Sequence, residues 1–168
     1  MTVTALSDPQ ARSRPELVVP ALGRWLAGVH ASPTEGLPVV STAESVDRAV
    51  TRLEAGEVDL SGVDRAYQRI RPATLRAQLE AGVPPEADRP VAISGSARFD
   101  SLTIDEGVVS GTCPITLAGD PYLDLASLAR DLARLIGPEA LWPFFDAYGL
   151  DRPDPLRLDF FMLLNALS

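Results

Sequence analysis

Residues 119–132 read GDPYLDLASLARDL, and the organisation of the chain follows from them. From Asp120-Pro121 onward, Leu125, Leu128, Ala129, Leu132 and Leu135 recur at helical spacing and make one apolar face, which Gly137 ends. Asp120 stands directly before Pro121, the arrangement of an N-cap followed by a proline in the first turn. Asp120 and Asp124 are four residues apart, which would place both carboxylates on one helical face and makes them the first candidates for metal binding. The structural reading is preferred for both.

On the N-terminal side of this helix the character is β-rich. VAIS (91–94), SLTI (101–104) and VVSGTC (108–113) are short strand candidates forming a small sheet, the last two separated by the hairpin turn Asp105-Glu106-Gly107. Asp100 and Asp105 read as solvated turn residues. Before the sheet, Leu22, Trp25, Leu26 and Val29 share one helical face within 15–31, with the regular helix expected to begin at Pro20. Ser41 and Glu44 have capping-box spacing at the head of a second helix that Gly56 stops. Shorter helices are predicted over 63–70 and 73–81, the latter opened by Pro72 and closed by Gly82. After Gly137, two further helices are predicted over 138–148 and 155–167, with Trp142, Phe144, Phe145, Phe160 and Phe161 as aromatic core. The fold class is α+β and mostly helical, with one domain over 15–168 and a flexible segment over 1–14.

Net charge is −8, scattered along the chain and without a basic stripe, which argues against nucleic acid or an anionic membrane as partner. All 15 basic residues are Arg, so chemistry that needs an ammonium or a Schiff base has no residue within the chain. No apolar run approaches the roughly 20 residues that span a bilayer, and residues 1–14 lack the pattern of a secretion signal, so a cytoplasmic location is expected. Cys113 is the lone cysteine and reads as a small buried residue. His30 is the sole imidazole; without a second His or Cys nearby it reads as a packed, hydrogen-bonded residue at a helix end.

The order helices, hairpin, helices resembles the C-terminal lobe of the aminoglycoside phosphotransferase family, whose architecture is that of protein kinases. LGRWLAGVHASP (22–33) is similar to the family helix that ends in Leu-His, and DEGVVSG (105–111) to the turn and strand before its second metal ligand. GDPYLDLASLARDL is similar to the family helix start Asp-x-x-Tyr-x-Asp-Leu-Ala, and the tail from Phe144 to its closing helices. In the family a His-Gly-Asp triplet, a following Asn and a further Asp carry the chemistry, orienting the attacking hydroxyl and holding magnesium beside ATP. The resemblance puts Ser94, Gly95 and Ser96 on the triplet, Ser101 on the Asn and Pro114 on the metal-binding Asp, within a segment shorter than the family pattern. It also implies that Asp124 braces the backbone of the catalytic loop, and it gives His30 and Asp120 structural roles. Ser94-Gly95-Ser96 is not a nucleophile elbow, which needs Gly on both sides of the Ser and a His partner.

These substitutions leave no base and no oxygen set suited to magnesium, so neither ATP nor magnesium is expected to bind. No Gly-rich phosphate loop and no Lys are visible, and nothing before Pro15 resembles the nucleotide-binding lobe. Asn165-Ala166-Leu167-Ser168 replaces the acidic and aromatic closing residues of members that take cationic aminoglycosides. The expectation is a noncatalytic, pseudokinase-like remnant acting as a binding or regulatory module, either for another protein or for a small molecule held in the former cleft. Self-association as a dimer, or another protein, would cover the surface on which an N-terminal lobe sits. The alternatives are a phosphotransferase whose N-terminal lobe comes from another chain, a truncated gene copy, and a stable fold without a remaining role. Arg98, beside the degenerate loop, marks either an anionic ligand or an internal salt bridge.

Overall fold

A computed structural model describes residues 4–58, 65–95, 97–111 and 114–168. The leucines of 119–132 face inward as their spacing predicts: helix α6 spans Tyr122–Leu135 and buries Leu125, Leu128, Ala129 and Leu132. Against it lies the C-terminal helix α8 (Pro155–Leu167), with Phe160, Phe161, Leu163, Leu164 and Leu167 buried. Asp154 caps α8 by accepting from the amides of Leu156 (3.0 Å) and Arg157 (3.2 Å), and Pro155 fills the first turn where no amide donor is needed.

Helix α2 (Pro15–His30) packs against α7 (Leu141–Tyr148). The approach is close at Gly23, where a Cβ would stand 2.5 Å from the Phe144 carbonyl oxygen, so only glycine fits. Contrary to the expected start at Pro20, α2 begins at Pro15 and carries Pro20 in its second turn. Pro20 removes one backbone bond, but Val18, Val19, Ala21 and Leu22 around it are all buried. Burial at about 1.5–3 kcal/mol for each large apolar side chain exceeds the roughly 3 kcal/mol that an interior proline costs. Helix α3 (Thr42–Glu54) begins with the predicted capping box: the Ser41 hydroxyl accepts from the Glu44 amide (3.1 Å), and the Glu44 carboxylate accepts from the Ser41 amide (2.9 Å). Those bonds lower the pKa of Glu44.

Two short helices, α4 (Arg65–Gln68) and α5 (Pro72–Ala81), follow; residues 63 and 64 of the predicted helix lie outside the described residues. The loop after α5 is tied down by Glu86, whose carboxylate accepts from the Thr42 amide (2.9 Å) and hydroxyl (3.1 Å). The 138–148 stretch divides into a 3₁₀ turn over Pro138–Ala140 and then α7, because Gly137 turns the chain at φ +145° before the proline.

The strands depart most from expectation. They form two sheets instead of one: β1 (Thr4–Ala5), β3 (Leu102–Asp105) and β4 (Val108–Gly111) in one, β2 (Val91–Ile93) and β5 (Leu117–Gly119) in the other. The named strands pair antiparallel, with Ile104 opposite Val109 in the hairpin and Ala92 opposite Ala118 in the second sheet, and Val39 adds an isolated parallel bridge to Ala118. Gly95, at φ +67°, and the 3₁₀ turn Phe99–Ser101 redirect the chain between β2 and β3, so that VAIS cannot continue into the hairpin. The segment expected to be flexible is also packed from Thr4 onward. β1 pairs with the edge of β3, Leu6 is fully buried, and Arg12 of helix α1 (Pro9–Arg12) donates to the Leu135 carbonyl (3.3 Å). An unpaired sheet edge and a gap in the core are tertiary features, and they order this segment.

Candidate functional site

The segment between β2 and β3, residues 94–101, is held by one face of α6. Asp124 is fully buried; its Oδ2 accepts from the Ser94 amide (2.8 Å) and its Oδ1 from the Gly95 amide (2.9 Å). One turn on, the Ser127 hydroxyl donates to the Ala97 carbonyl (2.9 Å). A further turn on, the buried Asp131 accepts from the Phe99 amide (3.2 Å). Positions 124, 127 and 131 share a helix face at 3.6 residues per turn, so one rigid element fixes successive peptide groups of the loop. A carboxylate accepting amides in a dry interior is a strong, directional hold.

Behind Asp124 stands His30, the last residue of α2, whose Nε2 is 3.4 Å from Asp124 Oδ2 and whose Nδ1 is 2.8 Å from the Tyr148 hydroxyl. With the ring hydrogen on Nε2 facing the carboxylate, Nδ1 accepts from Tyr148. Burial, reinforced by the negative charge of Asp124, pushes the Tyr148 phenol up to about 12, so it keeps the proton it donates. The rings of His30 and Tyr148 meet edge to face with centroids 5.5 Å apart.

Asp120 and Asp124 are not brought together as a metal pair. Asp120 Oδ1 accepts from the Tyr122 amide (2.9 Å), the capping contact, and Oδ2 pairs with the Arg157 guanidinium. That guanidinium lies 5.5 Å from the centroid of Tyr122 and 5.9 Å from that of Phe161. Ser94 is buried, and its hydroxyl is the one buried side-chain polar atom without a hydrogen-bond partner among the described residues. Ser101 donates its hydroxyl proton to the Arg98 carbonyl (2.8 Å), and Pro114 is exposed. Ser96 and Cys113 lie outside the described residues. Arg98 is exposed and makes a surface pair with Asp100 at 3.8 Å. Arg130, half-buried next to Asp131, has its pKa lowered by burial.

This donor set does not fit magnesium. The ion takes hard oxygens in near-octahedral array, whereas the buried Asp124 and Asp131 are occupied by loop amides and Asp120 by a guanidinium, and Pro114 has no side-chain oxygen. Among the described residues no group of three His, Cys, Asp or Glu side chains is placed to hold a metal. Among the described residues no helix is long and apolar enough to cross a membrane.

Ser127 and Asp131 were not singled out from sequence. Their signal was present, as polar residues at helical spacing on the otherwise apolar face of α6, but the carbonyl and amide they serve lie about thirty residues earlier in the chain.

The arrangement, a two-sheet and helix scaffold around a loop gripped by a helix aspartate, is that of kinase-like phosphotransferases. The chain aligns with an aminoglycoside 3'-phosphotransferase of Escherichia coli at 29% identity over 153 residues, 89% of this chain and 56% of that protein. A second from the same organism is 30% identical over 156 residues, covering 90% of this chain and 56% of the relative. The crystal structure of a type VIII aminoglycoside-3'-phosphotransferase superposes with a TM-score of 0.83 at 26% identity, over 98% of this chain and 65% of that one. An aminoglycoside phosphotransferase from Streptomyces rimosus shares the fold at TM-score 0.83 and 20% identity, over 99% of this chain and 66% of its own. No protein-family model matches the sequence. The chain is therefore similar in sequence to aminoglycoside phosphotransferases and shares their kinase-like fold, and it spans about 56% of the length of the curated relatives it matches.

Proposed function

We propose that this chain is a noncatalytic, pseudokinase-like binding module of the cytoplasm, built on the catalytic-loop scaffold of a phosphotransferase. One observation carries the reading: Asp124 grips the amides of Ser94 and Gly95, so the loop framework is intact, while Ser94, Ser96, Ser101 and Pro114 stand where the family resemblance places reactive or metal-binding groups. Positioning and electrostatics supply most of phosphoryl-transfer catalysis, and a framework without a base or carboxylate metal ligands supplies neither. The module would bind a protein or a small molecule beside this loop, and self-association as a dimer is part of the same proposal.

A second reading, in which a nucleotide-binding lobe from another chain completes a phosphotransferase, draws on the high structural overlap with aminoglycoside phosphotransferases. Thermal shift with ATP and magnesium, alongside transfer of labelled γ-phosphate to an aminoglycoside, tests the binding-module reading. The binding-module reading expects an unchanged melting temperature and no labelled product. Specific stabilisation by the nucleotide, or labelled product from the pure chain, overturns it.

A further inference from the structure

Away from the loop, α7 and the turn that follows it form a groove of about 530 Å³ lined by Trp142, Pro143, Asp146, Leu150 and Asp151. Trp142 is 65% exposed, although indole is among the costliest surfaces to leave in water and among the commonest anchors of protein interfaces. The exposed carboxylates of Asp146 and Asp151 have no hydrogen-bond or ion-pair partner among the described residues, and Arg152, adjacent in sequence, pairs with neither. The buried acids Asp120, Asp124 and Asp131 are all partnered. Asp146 also sits in the last turn of α7, at the negative end of the helix, and that turn contains no basic residue. A cation placed beside it would also meet the negative end of the helix.

The chain already shows what completes such a set. At Arg157 a guanidinium lies by the rings of Tyr122 and Phe161 while pairing with Asp120. The α7 groove offers the same ingredients, an aromatic face and carboxylates, with the cation missing. We propose that this groove docks an arginine side chain of a partner protein. All five lining residues come from one helix and its following turn, so the groove cannot enclose a free small molecule. An occupant must bring contacts from beyond it, as a protein segment does. The assignment goes beyond the binding-module reading and holds whether or not the chain transfers phosphate.

The test is an NMR titration of the intact chain with an acetylated and amidated Gly-Arg-Ala-Arg-Gly peptide, following the Trp142 indole N–H, assigned with Trp142→Phe. A saturable shift is expected, with apparent Kd raised ~10-fold or more in Asp146→Asn/Asp151→Asn and raised again by salt. Four results would overturn the proposal: no saturable shift at millimolar peptide, equal affinity in the double variant, arginine amide binding as tightly as the peptide, or the same indole shift on concentrating the protein alone. The last would put a second copy in the groove. The substituted side chains lie on the surface, and unchanged backbone spectra of the variants would verify that they fold.

Discussion

The inner and outer sides of the 94–101 loop differ in kind. Its backbone is held at several points by Asp124, Ser127 and Asp131, whereas its outward side carries Ser101, tied to its own turn, and, beyond the hairpin, the exposed Pro114. The contrast shows that folding and reactivity place separate demands on the same segment. A buried amide without an acceptor destabilises the chain whatever the protein does, so the gripping residues are needed for the fold itself. A base or a metal ligand contributes nothing to folding, and a sequence can lose it without losing the scaffold.

Breaking the inner side has the largest expected effect. Asp124→Ala strands the buried amide of Ser94 and takes the acceptor from the part-buried amide of Gly95, and should cost about 3–5 kcal/mol in urea unfolding. A loss below about 1 kcal/mol would mean that the loop does not depend on the helix. Asp131→Ala, which frees only the Phe99 amide, should cost about 1–3 kcal/mol by the same measurement.

Ser94→Ala sharpens the comparison in the opposite direction. Its hydroxyl is buried and unpartnered, so removal should be neutral or stabilising, by up to about 1 kcal/mol in thermal or urea unfolding; clear destabilisation would reveal a hidden partner. Tyr148→Phe tests the support behind Asp124 through pH. The folded protein holds the phenol proton up to about 12, above the unfolded value near 10, so this contribution is fully present below pH 10 and lost as pH rises toward 12. The Phe variant should show a shallower fall of stability across that window, and an unchanged slope would contradict the assignment. Smallest of all, Pro114→Ala on the exposed side should change stability by no more than about 0.5 kcal/mol.

Much of the helical framework is legible without coordinates, because its signals are local. The capping box at Ser41, the proline starts of α5 and α8, and the leucine face of α6 each depend on residues within a few positions of one another. Asp124 is legible only through family resemblance, since nothing in GDPYLDLASLARDL says which amides its carboxylate will meet. Pro20 shows local preference overruled, where the burial of neighbouring valines keeps a helix running through a residue that disfavours it.

By itself the sequence determined most of the helical framework, the hairpin turn and the absence of lysine, all properties of composition or of short-range periodicity. Only the tertiary structure decided that VAIS pairs with Leu117–Gly119, that Leu6 enters the core, that Glu86 holds the head of α3 and that one face of α6 grips the loop. These contacts join residues far apart in the chain. They form because packing the core leaves particular amides, sheet edges and gaps to be satisfied, and which ones is settled only when the elements meet.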